Sequence, residues 1–329
     1  MNNLKKIIEA SNNNTKAVYN ILTFPTHERY ETQLCKTNHN FFSFNLPNAK
    51  KWNYEQLKPP SNYHILPEAN VCYNFNYDFI LVQSRYWQFQ VATQLNQFLR
   101  LPIVCLDHTL PPIGIAKDNE IYTMRSMVGD INVFISDYSK NIWDINGKST
   151  VINHSIDSEI FKPLQLDKKD YVLTVGNDFI KRDYCLNYQG FCRVTDGLEK
   201  RIVGDTPGVS KAASSTQELV EEYNKCGVYF NSSTTPIPMS FLEAMSCGCA
   251  VVSVATSMIP SIIENGVNGF ISNDENELRS YIQLLQSDKE LRVKLGNNAR
   301  QTILEKFSEE RFIAEWNQVF NEAYEVTIS

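Results

Sequence analysis

The residue types and spacings that carry chemistry are concentrated between Thr234 and Val252. A strand ending near Asn231 gives way to a loop punctuated by Pro236 and Pro238, and a helix is expected from about Ser240. Ser240 and Glu243 have the spacing of a capping box, in which each side chain satisfies a free backbone donor of the other. Gly248 closes that helix, and an apolar strand from Ala250 to Val254 follows. A helix start offers free N–H groups and the positive end of the macrodipole, both of which favour a phosphate. In open α/β sheets, ligands bind in the crevice at the carboxyl ends of the strands, where this helix begins. Proline has no N–H, so the amides of Ile237, Met239 and Ser240 are the ones left to face such a group. Glu243 has two readings here: a ligand-binding carboxylate, or a helix cap with no ligand.

Two histidines stand beyond strands. His108 follows the apolar run Leu101 to Leu106; strand ends line the cleft, which places this His better for function than an isolated core His. Asp107 beside it is a further cleft candidate. His27 lies in the polar, aromatic loop from Phe24 to Glu31, and is either a ligand contact at a strand end or part of a plain helix-start loop. The carboxylate clusters Asp167 to Asp170 and Glu221-Glu222 read as solvated faces. Of eight cysteines only Cys247 and Cys249 are close in sequence, with no second pair at metal-ligand spacing. Reduced, partly buried thiols are the expectation, and no D-x-D metal-binding motif is present.

These residues need elements to hold them. Apolar, β-rich runs alternate with helical patterns along the 329 residues. Strands are predicted at Val18 to Phe24, Phe79 to Gln83, Leu101 to Leu106, Ile131 to Ile135 and Thr150 to Ile152. A second series covers Tyr171 to Val175, Lys200 to Val203, Gly227 to Phe230, Ala250 to Val254 and Gly269 to Ser272. Helices are predicted over Arg85 to Arg100, from about Ser139, and over Gln217 to Cys226, Ser240 to Ser246, Glu275 to Leu285 and Glu309 to Tyr324. Such alternation implies parallel sheets covered by helices on both faces. The length exceeds what one core usually supports, and a break near Ser155 to Leu166 carries Pro163. The expectation is an α/β protein of two Rossmann-like domains, residues 1–158 and 159–308, with a helix over 309–329 that can pack back on the first. The net charge of −6 argues against a broad nucleic-acid footprint. Met1 to Thr15, including Asn12 to Asn14, has no apolar signal-peptide core, and no run of about 18 apolar residues is present; a cytoplasmic location is expected.

The stretch from Leu242 to Val252 resembles the L-E-A-M-A-C-G-x-P-V-V signature of the retaining glycosyltransferases of family four, the GT-B glycosyl transferases group 1. Ile259 to Phe270 continues it as the family's G-x-P-E-I-I-x-x-G-x-N-G-F. The resemblance implies a GT-B fold with two parallel sheets facing across a cleft, an acceptor-side first domain, a nucleotide-sugar-binding second domain, and a ribose-binding role for Glu243. It also implies that the amides of Ile237, Met239 and Ser240 face a diphosphate or a sugar, and that His27 is a candidate contact to acceptor or donor. Tyr171 to Asn177 resembles the family's strand ending V-G-R, with Gly176 in place and Asn177 where the family has an Arg. The family's diphosphate-binding Lys aligns with Arg182, beside Lys181; an Arg grips phosphate oxygens bidentately and a Lys adds a point charge. A solvated surface pair is the alternative. Thr235 stands where the family carries a sugar-contacting Glu. Leu101 to His108 is similar to the family's P-x-V-x-x-x-H strand, whose His lies near the donor sugar at the point of transfer. Val151 to Pro163 resembles its hinge motif, with His154-Ser155 replacing Asn-Gly.

The implied activity is transfer of a hexosyl or pentosyl group from a nucleotide sugar, such as a UDP- or GDP-sugar, to an acceptor hydroxyl, with retention and without metal or other cofactor. The acceptor is open: a glycan, a lipid-linked hydroxyl or another. Two alternatives stand beside it. One is transfer to modified nucleic acid bases, disfavoured by the acidic charge. The other is a catalytically weak nucleotide-sugar-binding protein, motivated by Thr235 and Asn177.

Overall fold

The computed structural model describes residues 18–44, 51–54, 57–67 and 73–328. The segment Met1 to Thr15 and its asparagine run lie outside the described residues. The chain divides into two compact units: residues up to His154 together with those from Glu309 onward, and Ser155 to Ser308.

The first unit runs β1 (Asn20–Thr23), α1 (Glu28–Cys35), β2 (Asn40–Ser43), β3 (Tyr63–Ile65), β4 (Phe79–Val82), α2 (Trp87–Leu99), β5 (Ile103–Asp107), α3 (Asp118–Ser126), β6 (Ile131–Phe134), α4 (Asp137–Trp143) and β7 (Ser149–Val151). The strands form one sheet of seven in the order β3-β2-β1-β4-β5-β6-β7, and every pairing is parallel. β2 and β3 were not expected from the sequence. They are short and mix aromatic with polar residues, and they pair at the margin of the sheet rather than at its apolar centre. The helix expected from about Ser139 begins at Asp137, because the Ser136 hydroxyl accepts the Ser139 amide and so caps it.

The second unit runs β8 (Val172–Val175), α5 (Asp183–Leu186), α6 (Tyr188–Val194), β9 (Lys200–Val203), α7 (Thr216–Lys225), β10 (Val228–Asn231), α8 (Met239–Ser246), β11 (Val251–Val254), α9 (Ile259–Ile262), β12 (Phe270–Ser272), α10 (Glu275–Ser287) and α11 (Lys289–Lys306). Its five parallel strands are ordered β12-β11-β10-β8-β9. One face packs Val172, Val228, Phe230 and Val252 against Leu278, Ile282 and Leu285 of α10. Gly248 ends α8 with φ +71, a left-handed value that glycine adopts without strain.

Helix α12 (Glu309–Ile328) belongs to the first unit and covers one face of its sheet. The period-two alternation of strands divides the work. Leu22, Phe42, Ile80 and Val82 join one core with Ala92 and Leu95 of α2. Phe41 and Phe79 point the other way, where the ring of Phe320 lies 6.2 and 5.4 Å from theirs. Trp316, fully buried, packs beside Phe320 with the rings tilted by 37°. Polar groups fix the register of α12: Tyr19 Oη donates to Asn321 at 2.7 Å, Lys36 pairs with Glu309, and Arg311 donates to the carbonyls of Asn153 and His154, both at 2.9 Å.

His39 ties β1, β2 and α12 together. Its Nδ1 accepts the Tyr19 amide at 3.1 Å, so its other nitrogen, Nε2, carries the proton and donates to Asn317 Oδ1 at 2.9 Å. Protonating Nδ1 would break the first bond. Burial accordingly lowers the His39 pKa from 6.5 to about 4, with the Asn317 bond opposing. A base whose folded value is depressed contributes its stability above the unfolded value and loses it as pH falls toward the folded one. Stability of the first unit is therefore expected to drop by roughly 1–2 kcal/mol for this histidine between about pH 6.5 and about pH 5. Urea unfolding across that range should show it, and His39→Gln should flatten the dependence.

Candidate functional site

In the first unit the strand order reverses between β1 and β4, since later strands add outward on each side. The loops leaving these two strands diverge and open a crevice at their carboxyl ends. Three sequence-selected residues fall in this region. His27 is exposed at the start of α1. His108 follows β5 and is partly buried. Its Nε2 lies 3.0 Å from Gln83 Oε1, and Gln83 Nε2 donates to Glu31 Oε1 at 2.7 Å. The Tyr30 ring meets the His108 ring edge to face at 4.5 Å and the His154 ring at 5.3 Å. The two imidazoles stack at 6.1 Å. Burial holds the His108 pKa well below its usual value, and the neighbouring His154 and His27 push the same way. His154 is lowered to about 4, first by burial. Both rings are neutral at physiological pH.

The third residue, Asp107, is not a cleft group. It is 2% exposed and takes Arg85 Nε at 2.6 Å. Arg85 also donates to the Met127 carbonyl and to Asn132 Oδ1 at 3.0 Å, with its guanidinium over the rings of Phe134 and Trp143. Burial pushes the Asp107 carboxyl up to about 7, and the Arg85 charge pulls it back down. The side chain alternates inward from the strand, which spends it on the core.

In the second unit the order reverses between β8 and β10. Gly176 and Asn177 leave β8 on one side of this point, and Ser232 to Thr235 leave β10 on the other. The β8 turn is built by backbone approach: Gly176 N donates to Val203 O at 3.0 Å. A Cβ on Gly204, where φ is +133, would sit 1.9 Å from the Gly176 carbonyl oxygen. Asn177 holds the same turn, its Oδ1 accepting the Asp205 amide at 2.8 Å. Lys181 and Arg182 are exposed beyond it, with Lys181 Nζ only 3.8 Å from Asp178.

The loop from β10 to α8 turns on hydroxyls. Ser233 and Thr235 share a hydrogen bond at 2.7 Å, and Ser233 Oγ also takes the Thr235 amide at 3.1 Å. Ile237 is buried. The expected capping box is absent. Helix α8 starts at Met239 with Pro238 at its cap position, which offers no side-chain acceptor. Ser240 is instead captured by the sheet: its hydroxyl donates to Val175 O at 3.0 Å and accepts from Tyr229 Oη at 3.0 Å. Glu243, 4% exposed, accepts from Tyr223 Oη at 2.8 Å. Burial first, and then the Glu243 charge, raise the Tyr223 pKa well above its usual value, so the phenol stays a donor. The amides of Ile237, Met239 and Ser240 donate to no other described residue. The end of the loop and the first turn of α8 thus leave three N–H groups without a partner among the described residues, and the buried Glu243 follows on the same helix.

Glu222 departs from the solvated face expected for its pair: it is buried, paired with Arg201 at 3.0 Å and with the Tyr171 hydroxyl at 3.2 Å. Gln83, Glu31, Tyr30 and Tyr223 were not singled out from sequence. Gln83 did carry a signal, a polar residue closing a buried apolar strand as His108 does. Tyr223 carries none, because an aromatic at a core-facing position of α7 reads as packing whether or not its hydroxyl is used. Among the described residues no group of three His, Cys, Asp or Glu side chains is placed to hold a metal ion. Among them, too, no helix is long and apolar enough to cross a membrane.

Residues 199–302 match the family model of the glycosyl transferases group 1. The chain is 25% identical over 206 residues, 57% of its length, to an N,N'-diacetylbacillosaminyl-diphospho-undecaprenol alpha-1,3-N-acetylgalactosaminyltransferase of Campylobacter jejuni, covering 51% of that protein. The chain spans about half the length, or less, of the curated relatives it matches. In fold it is similar to a sucrose-phosphate synthase of Thermosynechococcus elongatus, with TM-score 0.76, 14% identity, and coverage of 94% of this chain and 100% of that one. It is also similar to HepE of Anabaena, solved in complex with UDP-glucose, with TM-score 0.70, 15% identity, and coverage of 92% and 100%. The two parallel α/β sheets of this chain, of seven and five strands, have the GT-B fold of these proteins.

Two outcomes follow from this geometry. Arg85→Met leaves the Asp107 carboxyl buried without its counter-charge and should destabilise the protein by about 3–5 kcal/mol, measured by urea unfolding. Gly204→Ala forces the β8 turn apart and should cost about 1–3 kcal/mol in the same assay.

Proposed function

We propose that this chain, whose residues 199–302 belong to the glycosyl transferases group 1, transfers a sugar from a nucleotide-sugar donor to an acceptor hydroxyl. The observation that carries this reading is Glu243: a carboxylate buried at the switch point of the second sheet, held by Tyr223, beside three amides that donate to nothing else described.

Each group has a task in that reading. Glu243 accepts the two ribose hydroxyls of the donor. The amides of Ile237, Met239 and Ser240, at the positive end of the α8 dipole, receive the diphosphate. Lys181 and Arg182, on an exposed loop, add charge to the same phosphates. As the sugar–phosphate bond breaks, negative charge grows on the departing diphosphate, and donors already in place stabilise it without reorganisation. That is also why a metal-independent reaction is proposed: cations and amides supply the charge. Retention follows if the acceptor approaches on the side the diphosphate leaves, whose oxygen then takes the acceptor proton. His108 serves the transferred sugar. A UDP-sugar is the first donor to try, since HepE binds UDP-glucose. A lipid-linked acceptor is among those to test, given the name of the Campylobacter relative.

A second reading, a nucleotide-sugar-binding protein with little turnover, is favoured by one observation. The Asn177 and Thr235 side chains carry no charge and are already engaged, one by the Asp205 amide and the other by Ser233. Turnover separates the two.

A thermal-shift screen of nucleoside diphosphates and their sugars is the direct test. A bound ligand at about 100 times its Kd should stabilise by about 2.7 kcal/mol. Glu243→Ala should weaken nucleotide binding roughly 10- to 100-fold, the scale of losing hydrogen bonds to a charged group worth about 1.5–3 kcal/mol. No turnover with any nucleotide sugar, together with unchanged binding in Glu243→Ala, would remove the enzyme reading.

A further inference from the structure

His108 is held by more than packing. Its Nε2 is 3.0 Å from Gln83 Oε1. The Gln83 amide has only one orientation compatible with its surroundings. Its nitrogen faces Glu31 Oε1 at 2.7 Å and Thr23 Oγ1 at 3.4 Å. Glu31 Oε1 also takes the Thr26 amide at 3.3 Å, so this oxygen is an acceptor. A flipped amide would set two oxygens against each other at 2.7 Å. Gln83 Oε1 therefore points at His108, and an amide oxygen can only accept. The hydrogen bond then requires the proton of His108 to sit on Nε2, leaving Nδ1 as a bare lone pair. Gln83 itself is locked at both ends: it is 2% exposed, and its backbone amide donates to Gln88 Oε1 at 2.7 Å. Tyr30, edge to face at 4.5 Å, limits rotation of the imidazole.

We propose that Gln83, oriented by Glu31, is a positioning residue that sets the tautomer and ring angle of His108, so that Nδ1 is the face offered to a hydroxyl of the transferred sugar. The chain Glu31–Gln83–His108 couples a buried carboxylate to the imidazole through a neutral amide. It orients the ring as a directly bonded carboxylate would, without placing a full negative charge against it. The ring stays neutral and accepts a hydrogen bond rather than donating two. The catalytic half of this proposal rests on the glycosyltransferase reading; the tautomer half does not.

The two halves are tested separately. Long-range 15N–1H correlation spectra of histidine-labelled protein report which ring nitrogen carries the proton, and the five histidines can be assigned with a His108→Gln variant. The wild type should show His108 as the Nε2–H form. Gln83→Met removes the acceptor and should move the ring toward the Nδ1–H form or a mixture. Gln83→Glu restores an oxygen toward His108, sharing one proton with Glu31, and should return it to Nε2–H. A wild-type Nδ1–H signature overturns the proposal without any variant, as does an unchanged signature in a folded Gln83→Met protein. In transfer assays Gln83→Met should lower kcat about 10-fold or more with donor KM within about 2-fold, the pattern of a lost transition-state interaction, and Gln83→Glu should recover most of it. An altered tautomer with unchanged kcat overturns the catalytic half. If the wild type transfers no sugar at all, the glycosyltransferase reading fails, and the spectra still decide whether Gln83 sets the ring.

Discussion

Every strand in both sheets pairs in parallel, and this constraint governs where chemistry can happen. Parallel strands need helical crossovers, which cover both faces and bury the strand side chains. The faces are consequently spent on packing. Polar side chains can be displayed only where strands end, and free N–H groups only where the following helices start. Both sheets obey this. In the first unit His108, Gln83 and the loop before α1 cluster at the carboxyl ends of β5, β4 and β1. In the second, Gly176, Thr235 and the start of α8 cluster at the ends of β8 and β10. The candidate site residues share an edge because that edge is where the fold leaves room for them.

The same rule decides which polar residues are structural. Asp107 and His108 are neighbours, yet alternation sends one side chain into the sheet and lets the other turn toward the strand end. Asp107 meets Arg85, whose guanidinium lies over two aromatic rings; His108 meets an amide. Ser240 and Glu243 diverge in a similar way. Their spacing fits a cap, but neighbouring elements supply other partners: the Val175 carbonyl and Tyr229 from strands for the serine, and Tyr223 from helix α7 for the glutamate. A local motif loses when tertiary partners sit closer to both side chains.

How much of this was legible beforehand varies by element. Strands such as Phe79–Val82, Ile103–Asp107 and Val251–Val254 are readable because burial on both faces makes them nearly continuous apolar runs, with Asp107 and Ser253 the polar exceptions. β2 and β3 were not, since Asn40 and His64 dilute the pattern in strands of four and three residues. Glu243 was visible through its neighbours, as was Gly176. Tyr223, Gln83 and Glu31 were not chosen, because what makes each of them matter is a partner 20 to 52 positions away in sequence. Pairings of that kind are set by which strands lie side by side, and no local pattern of residues carries that information.

Helix α12 bears on how the molecule comes to be made. It supplies Trp316 and Phe320 to the first unit's core, yet it is encoded after the whole of the second unit. During synthesis the ribosome releases the seven strands of the first sheet long before the helix that seals one of their faces. Phe41 and Phe79 stay open to solvent in the nascent chain until then, while Ser155 to Ser308 can close its own core. The order of folding is thus expected to invert the order of translation, with the leading half waiting on the trailing helix and exposed meanwhile to chaperones and to its own kind.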